Sequence, residues 1–124
     1  MELECRVSEA IQFTVPLVPP SVNHYVKHTR RGFHYVTAEA KSFKSAVRLF
    51  ARGRVVTAKK YEVEFTVYLG FKKRGDADNF SKVILDGLAE AGVIHSDTAV
   101  KRCISGVDRD RRNPRTEITV RGIQ

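Results

Sequence analysis

Hydrophobic and polar residues alternate most regularly between Tyr61 and Phe71. One side of that run carries Val63, Phe65, Val67, Leu69 and Phe71, and the other carries Glu62, Glu64, Thr66 and Tyr68. A period of two is the pattern of a strand that is buried on one face. The sequence therefore predicts a half-buried strand here. Shorter apolar patterns predict further strands over 11–18, 33–36, 100–107 and 117–121.

Two other segments place their hydrophobic residues at helical spacing. The first covers 38–51, with Thr37 in the N-cap position and an apolar stripe of Ala40, Phe43, Val47 and Phe50. The second runs from Asp78 or Asn79 to Ala91, with Gly92 as its C-terminal stop. Its predicted buried stripe is Phe80, Val83, Ile84, Leu88 and Ala91.

The order of these elements predicts one small α/β domain over residues 1–124, with a mixed β-sheet and two main helices. A chain of 124 residues suits one core and is too short for two. No apolar run approaches the ~20 residues that a membrane-spanning helix needs, and no signal-peptide pattern follows Met1. We therefore expect a cytoplasmic protein with no membrane partner.

The composition adds a strong charge imbalance. Lysine and arginine number 22 against 14 aspartate and glutamate, for a net charge of +8. A small basic protein commonly binds a polyanion, with nucleic acid as the leading candidate and a merely solvated basic surface as the alternative. The candidate phosphate-binding residues are Lys27, Arg30, Arg31, Lys72, Lys73, Arg74, Arg109, Arg111 and Arg112.

The cysteines and histidines indicate no zinc site. Cys5 and Cys103 are far apart and form no C-x-x-C pair, and the four histidines are not at ligand spacing with them. We expect both thiols to be reduced and partly buried.

One acidic segment, 75–97, stands out in this basic chain. It holds four of the six aspartates, Asp76, Asp78, Asp86 and Asp97, and its one lysine or arginine is Lys82. Asp76 and Asp78 are two residues apart and leave an extended chain on the same face. Asp78, Lys82 and Asp86 share a helix face if Asp78 lies in the first turn, and Asp97 could close the ring after the glycine turn. Carboxylate oxygens are the ligands that Mg²⁺ or Mn²⁺ prefers.

Structural alternatives account for the same residues. Asp78 could be only an N-cap, and Asp78, Lys82 and Asp86 could form i,i+4 surface ion pairs worth ~0.5 kcal/mol or less each. His95 is near Asp97 in sequence and could touch the site in a catalytic role, but a histidine of this kind is more often a surface residue or one with its hydrogen bonds satisfied. The spacing alone leaves metal chemistry and ion pairing both open.

Three segments resemble the RusA-type Holliday junction resolvases. The segment 18–25, V-P-P-S-V-N-H-Y, is similar to the family's P-P-S-x-N-x-x-Y, with its tyrosine one position earlier. The segment 76–82, D-A-D-N-F-S-K, is similar to its D-x-D-N-x-x-K core. D-G-L at 86–88, A-G-V at 91–93 and Asp97 continue that core at matching spacing. The resemblance covers nearly the whole chain.

The resemblance implies a homodimeric endonuclease that resolves four-way DNA junctions by symmetric nicking with Mg²⁺ or Mn²⁺, in recombination and repair. It also implies that Asp76, Asp78 and Asp97 are the essential acids and metal ligands, and that Lys82 assists catalysis. Asp86 matches a further family aspartate and is a fourth candidate ligand, and Asn79 positions the helix start or contacts DNA.

Members often carry two adjacent acids where this chain has Ser96-Asp97, so we take Asp97 as the ligand. Many members come from phages, which makes a phage or prophage source plausible. Two alternatives remain open, a non-catalytic protein that binds branched nucleic acid and a nuclease for other branched DNA or RNA.

Overall fold

The computed structural model describes residues 7–20, 26–28, 34–70 and 78–123. In chain order its elements are β1 (Val7–Val15), β2 (Val26–His28), β3 (His34–Val36), α1 (Ala38–Ala51), β4 (Lys60–Leu69), α2 (Asp78–Glu90), a 3₁₀ helix (Asp97–Ala99), β5 (Val100–Arg109) and β6 (Arg115–Ile123). Two helices and a mixed sheet confirm the predicted α/β class.

Four of the strands form the main sheet in the order β1-β6-β4-β5. β4 and β5 are parallel, whereas β6 is antiparallel to both of its neighbours, β1 and β4. Parallel neighbours need a long crossover connection, and α2 supplies it. The two short strands β2 and β3 pair separately as an antiparallel ribbon.

The predicted alternation along β4 is confirmed. Its inward residues Tyr61, Val63, Phe65, Val67 and Leu69 are all buried, and Phe71 lies outside the described residues. Across from them on β6, Ile118 and Val120 are completely buried, as predicted. On the opposite face Arg121 donates to Glu62 and Glu64, both over 2.9 Å. The sheet therefore has an apolar face toward the helices and a charged face away from them.

Helix α1 covers the predicted residues 38–51. The Thr37 hydroxyl accepts the backbone N–H of Ala40 over 3.3 Å, which confirms the predicted N-cap. Phe43 and Val47 of its apolar stripe are buried in the core. Neither helix in the described part of the chain is long and apolar enough to cross a membrane.

Helix α2 ends just before a glycine in the left-handed conformation. Gly92 has a φ of +79°, a conformation that costs glycine little and that ends many helices. Within the helix, Gly87 faces α1, and a Cβ there would lie 3.4 Å from Lys44 Cγ and from Val47 Cγ2. The missing side chain therefore lets the two helices pack closely.

Three expectations need correction. β1 ends at Val15 rather than at Val18, because Pro16 has no N–H to donate to the sheet. The basic segment before β3 contains a strand, β2, that its sequence did not indicate. Cys103 is exposed rather than partly buried, because it lies on β5 at the edge of the sheet.

Candidate functional site

The acidic segment singled out by the sequence forms the connection between the parallel strands β4 and β5. Asp78 is the first residue of α2, so the prediction that the helix begins at Asp78 or Asn79 is confirmed. Asp78 and Asn79 are described as backbone only, and Asp76 lies outside the described residues. The crossover thus carries the predicted site residues at both of its ends and along α2.

Lys82 and Asp86 lie one turn apart on α2. Lys82 Nζ is 3.5 Å from Asp86 Oδ2, with the lysine side chain 59% exposed and the aspartate 22% exposed. An exposed i,i+4 pair of this kind contributes roughly 0–1 kcal/mol. The ion-pair interpretation of these two residues is therefore confirmed, and Lys82 stands four residues after Asp78 on the same helix face.

Asp97 begins the 3₁₀ helix that leads into β5, and it is exposed. Ser96 caps this short helix, because its Oγ accepts the backbone N–H of Thr98 over 3.2 Å and lies 2.8 Å from the Thr98 hydroxyl. Ser96, which directly precedes the predicted ligand Asp97, thus has a structural role here. It holds the turn that presents Asp97.

The segment before Asp97 is anchored to the core through Tyr61. The Tyr61 hydroxyl accepts the backbone N–H of His95 over 3.2 Å and donates to the backbone oxygen of Val56 over 3.0 Å. The exposed His95 ring packs against the Tyr61 ring at a centroid distance of 5.3 Å. His95 therefore lies at the protein surface beside a core tyrosine, and a catalytic role for it stays untested.

Two further backbone bonds hold this segment at the C-terminal end of α2. The Val93 N–H donates to the Leu88 oxygen over 3.0 Å, and the Val56 N–H donates to the Val93 oxygen over 2.9 Å. Helix α2 has 13 residues, which at 1.5 Å per residue separates its ends by about 18 Å. Asp97 consequently belongs to the end of α2 opposite Asp78.

Among the residues whose side chains are described, no three of His, Cys, Asp or Glu come together as a metal site. Asp76 and Asp78 are not part of that set. Of the predicted ligands, Asp97 has a described side chain, and its carboxylate is exposed. Exposed carboxylates suit Mg²⁺, which binds one or two of them together with water and phosphate oxygens. The ligand set Asp76, Asp78 and Asp97 therefore stays a prediction.

Three of the predicted phosphate-binding residues have side chains in the described part of the chain. Arg30, Arg31, Lys72, Lys73 and Arg74 lie outside the described residues, and Lys27 is described as backbone only. Of the remaining three, Arg109 donates from its Nη1 to the Gly70 backbone oxygen over 2.6 Å, whereas Arg111 and Arg112 are exposed in the turn after β5.

That turn is ordered by one carboxylate. Asp110 Oδ1 accepts the backbone N–H groups of Arg112 and Asn113, both over 3.2 Å. Its other oxygen accepts from Arg115 over 2.8 Å, and this hydrogen bond holds the pKa of Asp110 below its ordinary value. Arg111 and Arg112 are therefore presented to solvent from a defined turn.

A basic groove that was not among the predicted sites lies between α1 and the end of α2. The groove encloses about 390 Å³ and is lined by Lys41, Lys44, Ser45, Arg48, Glu90 and Ala91. Lys44 is largely buried and bonds to Glu90 over 2.7 Å, whereas Lys41 and Arg48 are exposed. The signal in the sequence is the spacing of three cations at i, i+3 and i+7, which places them on one helix face.

Comparison with known proteins places the chain in a family. The family model described as Endodeoxyribonuclease RusA matches residues 16–121. No curated protein sequence is similar enough to count as a relative. The matched range includes the crossover with Asp78, Lys82 and Asp97, and it covers most of the chain. The protein therefore belongs to the RusA family of endodeoxyribonucleases.

Proposed function

We propose that the protein is a metal-dependent endodeoxyribonuclease that resolves four-way (Holliday) DNA junctions by symmetric nicking, in recombination and repair. The observation that carries the proposal is the family match across the β4–α2–β5 crossover, which holds the acidic residues and Lys82. The structural features of the crossover and of the basic surface support this reading.

Asp76, Asp78 and Asp97 would hold Mg²⁺, or Mn²⁺ in its place. When bound, such an ion lowers the pKa of a bound water and stabilises negative charge at a phosphate. Asp97 is suited to the role because it is exposed and because Ser96 and Tyr61 fix the backbone around it. Asp86 is a weaker candidate ligand, since its carboxylate already pairs with Lys82.

Lys82 would act on the scissile phosphate. Its ammonium group lies one turn beyond Asp78, so it can approach the same phosphate and offset the charge that develops there. The contact with Asp86 Oδ2 at 3.5 Å restricts where Lys82 can reach. Asp86 is thus proposed to position the lysine.

A homodimer would bring both ends of the crossover together. Within one chain, Asp78 and Asp97 lie toward opposite ends of α2. These ends are about 18 Å apart, which is too far for one ion to bridge directly. Two antiparallel copies of α2 related by a two-fold axis would set Asp78 of one protomer near Asp97 of its partner. The two equivalent sites would then nick two strands symmetrically.

The basic surface would hold the DNA backbone. Each chain carries +8, so a dimer carries 2 × 8 = +16. Phosphate contacts are independent of base sequence and position the duplex rather than read it. We assign such contacts to Lys41 and Arg48 in the α1 groove and to Arg111 and Arg112 in the turn after β5.

A panel of synthetic substrates tests the proposal. A four-way junction, a fork, a duplex and a single strand, each made from DNA and from RNA, are compared at one salt concentration, with and without Mg²⁺. We expect paired nicks at symmetric positions in the junction, dependent on the metal, and slow or no cleavage of the duplex. Junction binding without nicks in any divalent metal would support a non-catalytic binding protein instead. Faster cleavage of the fork, or of the same structures made from RNA, would assign a different branched substrate.

A further inference from the structure

We propose that two copies of this chain pair through β5, edge to edge and antiparallel, about a two-fold axis perpendicular to the sheet. The inference rests on the proposed function for its homodimer and adds the surface that forms it. It would join the two four-stranded sheets into one continuous sheet.

β5 is unusually exposed for a long strand. Among the strands in the described part of the chain it lies at one edge of the sheet, and most of its ten residues are exposed, including Cys103, Ile104 and Val107. The opposite edge strand, β1, differs because its Phe13 and Val15 are buried under the helices. A long edge strand is a ready template for pairing with another strand.

Residues of β5 are exposed even on the face of the sheet against which the helices pack. Cys103 and Val107 pair with the buried Val63 and Val67 of β4, so they lie on the side of the sheet where the helices pack. Both are nevertheless exposed, and Val107 is 36% accessible. The apolar face of the sheet therefore continues past the helices of one chain, up to the edge where a second chain would begin.

Symmetry restricts the register of such a pair. Residues directly opposite in antiparallel strands share a face of the sheet. A two-fold axis perpendicular to the sheet must therefore pair residues of equal parity. A register centred on Ser105 sets Arg102 opposite Asp108 twice and Cys103 opposite Val107 twice. Centring the axis on Ile104 instead would set Arg102 opposite Gly106 and lose both ion pairs.

The charged residues of this register are suited to the pairing. The Arg102 side chain is 70% exposed and approaches Glu62 only to 3.9 Å. Asp108 is exposed as well, and its Oδ1 accepts the neighbouring Arg109 N–H over 2.8 Å. Lys101, where the pairing of β5 with β4 is irregular, would lie near Arg109 in this register, but Arg109 directs its Nη1 to the Gly70 oxygen in its own chain. The register thus forms two ion pairs between the strands, each joining Arg102 of one copy to Asp108 of the other.

Antiparallel pairing agrees with the proposed metal site. The end of β5 lies beside the end of β4, where the segment that contains Asp76 begins. The start of β5 directly follows Asp97. Pairing through β5 places the end of β5 in one protomer beside the start of β5 in its partner. The segment that leads to Asp78 in one protomer would then lie on the same side as Asp97 of the other, as the proposed site requires.

A disulfide test addresses the register. Ser105→Cys is made in a Cys5→Ser/Cys103→Ser background, and Ser42→Cys, exposed on α1, is the matched control in the same background. Opposed residues in antiparallel strands lie about 4.5–5.5 Å apart at Cα, within the range that a disulfide spans. We expect mild oxidation to link the Ser105→Cys dimer and to leave the control unlinked. A monomer by light scattering, or a dimer that Ser105→Cys fails to link, would overturn the proposal.

A charge swap tests the same pairing without cysteine chemistry. Arg102→Asp and Asp108→Arg should each raise the dimer dissociation constant by about tenfold, measured by analytical ultracentrifugation. The double variant should restore dimerisation, and a double variant as weak as the singles contradicts the register. Junction cleavage by the wild-type protein is measured in parallel. If the wild-type protein cleaves junctions but Ser105→Cys does not link the dimer, the β5 interface is wrong and the proposed function stands. If Ser105→Cys links the dimer but the wild-type protein cleaves no junction, the β5 interface stands and the proposed function is wrong.

Discussion

The hydroxyl of the buried Tyr61 accepts the backbone N–H of His95 over 3.2 Å, 34 residues further along the chain. The same hydroxyl donates to the Val56 backbone oxygen. One phenol group therefore ties the loop before β4 to the segment that leads into Asp97. The position of a predicted metal ligand depends on a residue of the core.

Tyr61→Phe should destabilise the protein without changing its fold. The substitution leaves the His95 N–H and the Val56 oxygen without their partner, which costs about 1–3 kcal/mol of unfolding free energy when such groups are shielded from water. Urea denaturation measures the loss. Tyr68→Phe, on the other face of β4, is the control and should change stability by less than about 0.5 kcal/mol. Equal effects of the two substitutions would contradict the role assigned to the Tyr61 hydroxyl.

Local patterns in the sequence predicted the local features of the fold. The period-two alternation of β4 and the Thr37 cap of α1 depend on neighbouring residues, and both are confirmed. The early end of β1 could also have been predicted, since Pro16 has no N–H to donate to the sheet, but the predicted strand was extended to Val18. Errors of this kind concern where an element stops rather than what it is.

Nonlocal relationships could not be predicted in the same way. The insertion of β6 between β1 and β4 and the exposure of β5 depend on contacts between distant segments. The sequence showed Asp78 and Asp97 as members of one acidic segment. Only the parallel pairing of β4 and β5 shows that α2 separates them.

Mixing two inactive variants should restore cleavage if the proposed site is shared between protomers. Asp78→Asn and Asp97→Asn homodimers each lack one ligand in both sites. A mixed dimer regains one complete site, formed by Asp78 of one protomer and Asp97 of the other. We expect the mixture to nick one strand of a junction with Mg²⁺ after subunit exchange. If the ligands instead come from one chain, the mixture stays as inactive as its components.

Charge in the α1 groove should control the salt dependence of DNA binding. Lys41→Glu/Arg48→Glu should weaken junction and duplex binding alike, measured without metal by fluorescence anisotropy. It should also reduce the slope of log K against log salt by about 0.9 for each lost phosphate contact. The charge-retaining double variant Lys41→Arg/Arg48→Lys should keep the wild-type slope. An unchanged slope in the glutamate variant would remove this groove from the DNA surface.

The Asp110–Arg115 pair should contribute stability that is lost in acid. Since Arg115 lowers the folded-state pKa of Asp110, the pair contributes above the unfolded pKa of about 3.9 and loses its effect as the pH falls through the folded value. The wild-type protein should therefore exceed Asp110→Asn in stability at pH 6, with the difference shrinking toward pH 2.5. Urea midpoints across that range measure it. A difference that grows on acidification would contradict the assignment.

The clearest test of the proposed metal-dependent nuclease is the cleavage of a synthetic four-way junction by Asp78→Asn in the presence of Mg²⁺. Junction binding without metal serves as the reference, and Glu39→Gln, an exposed carboxylate on α1, is the control variant. We expect Asp78→Asn to bind the junction as the wild-type protein does and to cleave it at least about 100-fold more slowly, while Glu39→Gln cleaves normally. Wild-type cleavage by Asp78→Asn, with binding retained, would contradict the proposal.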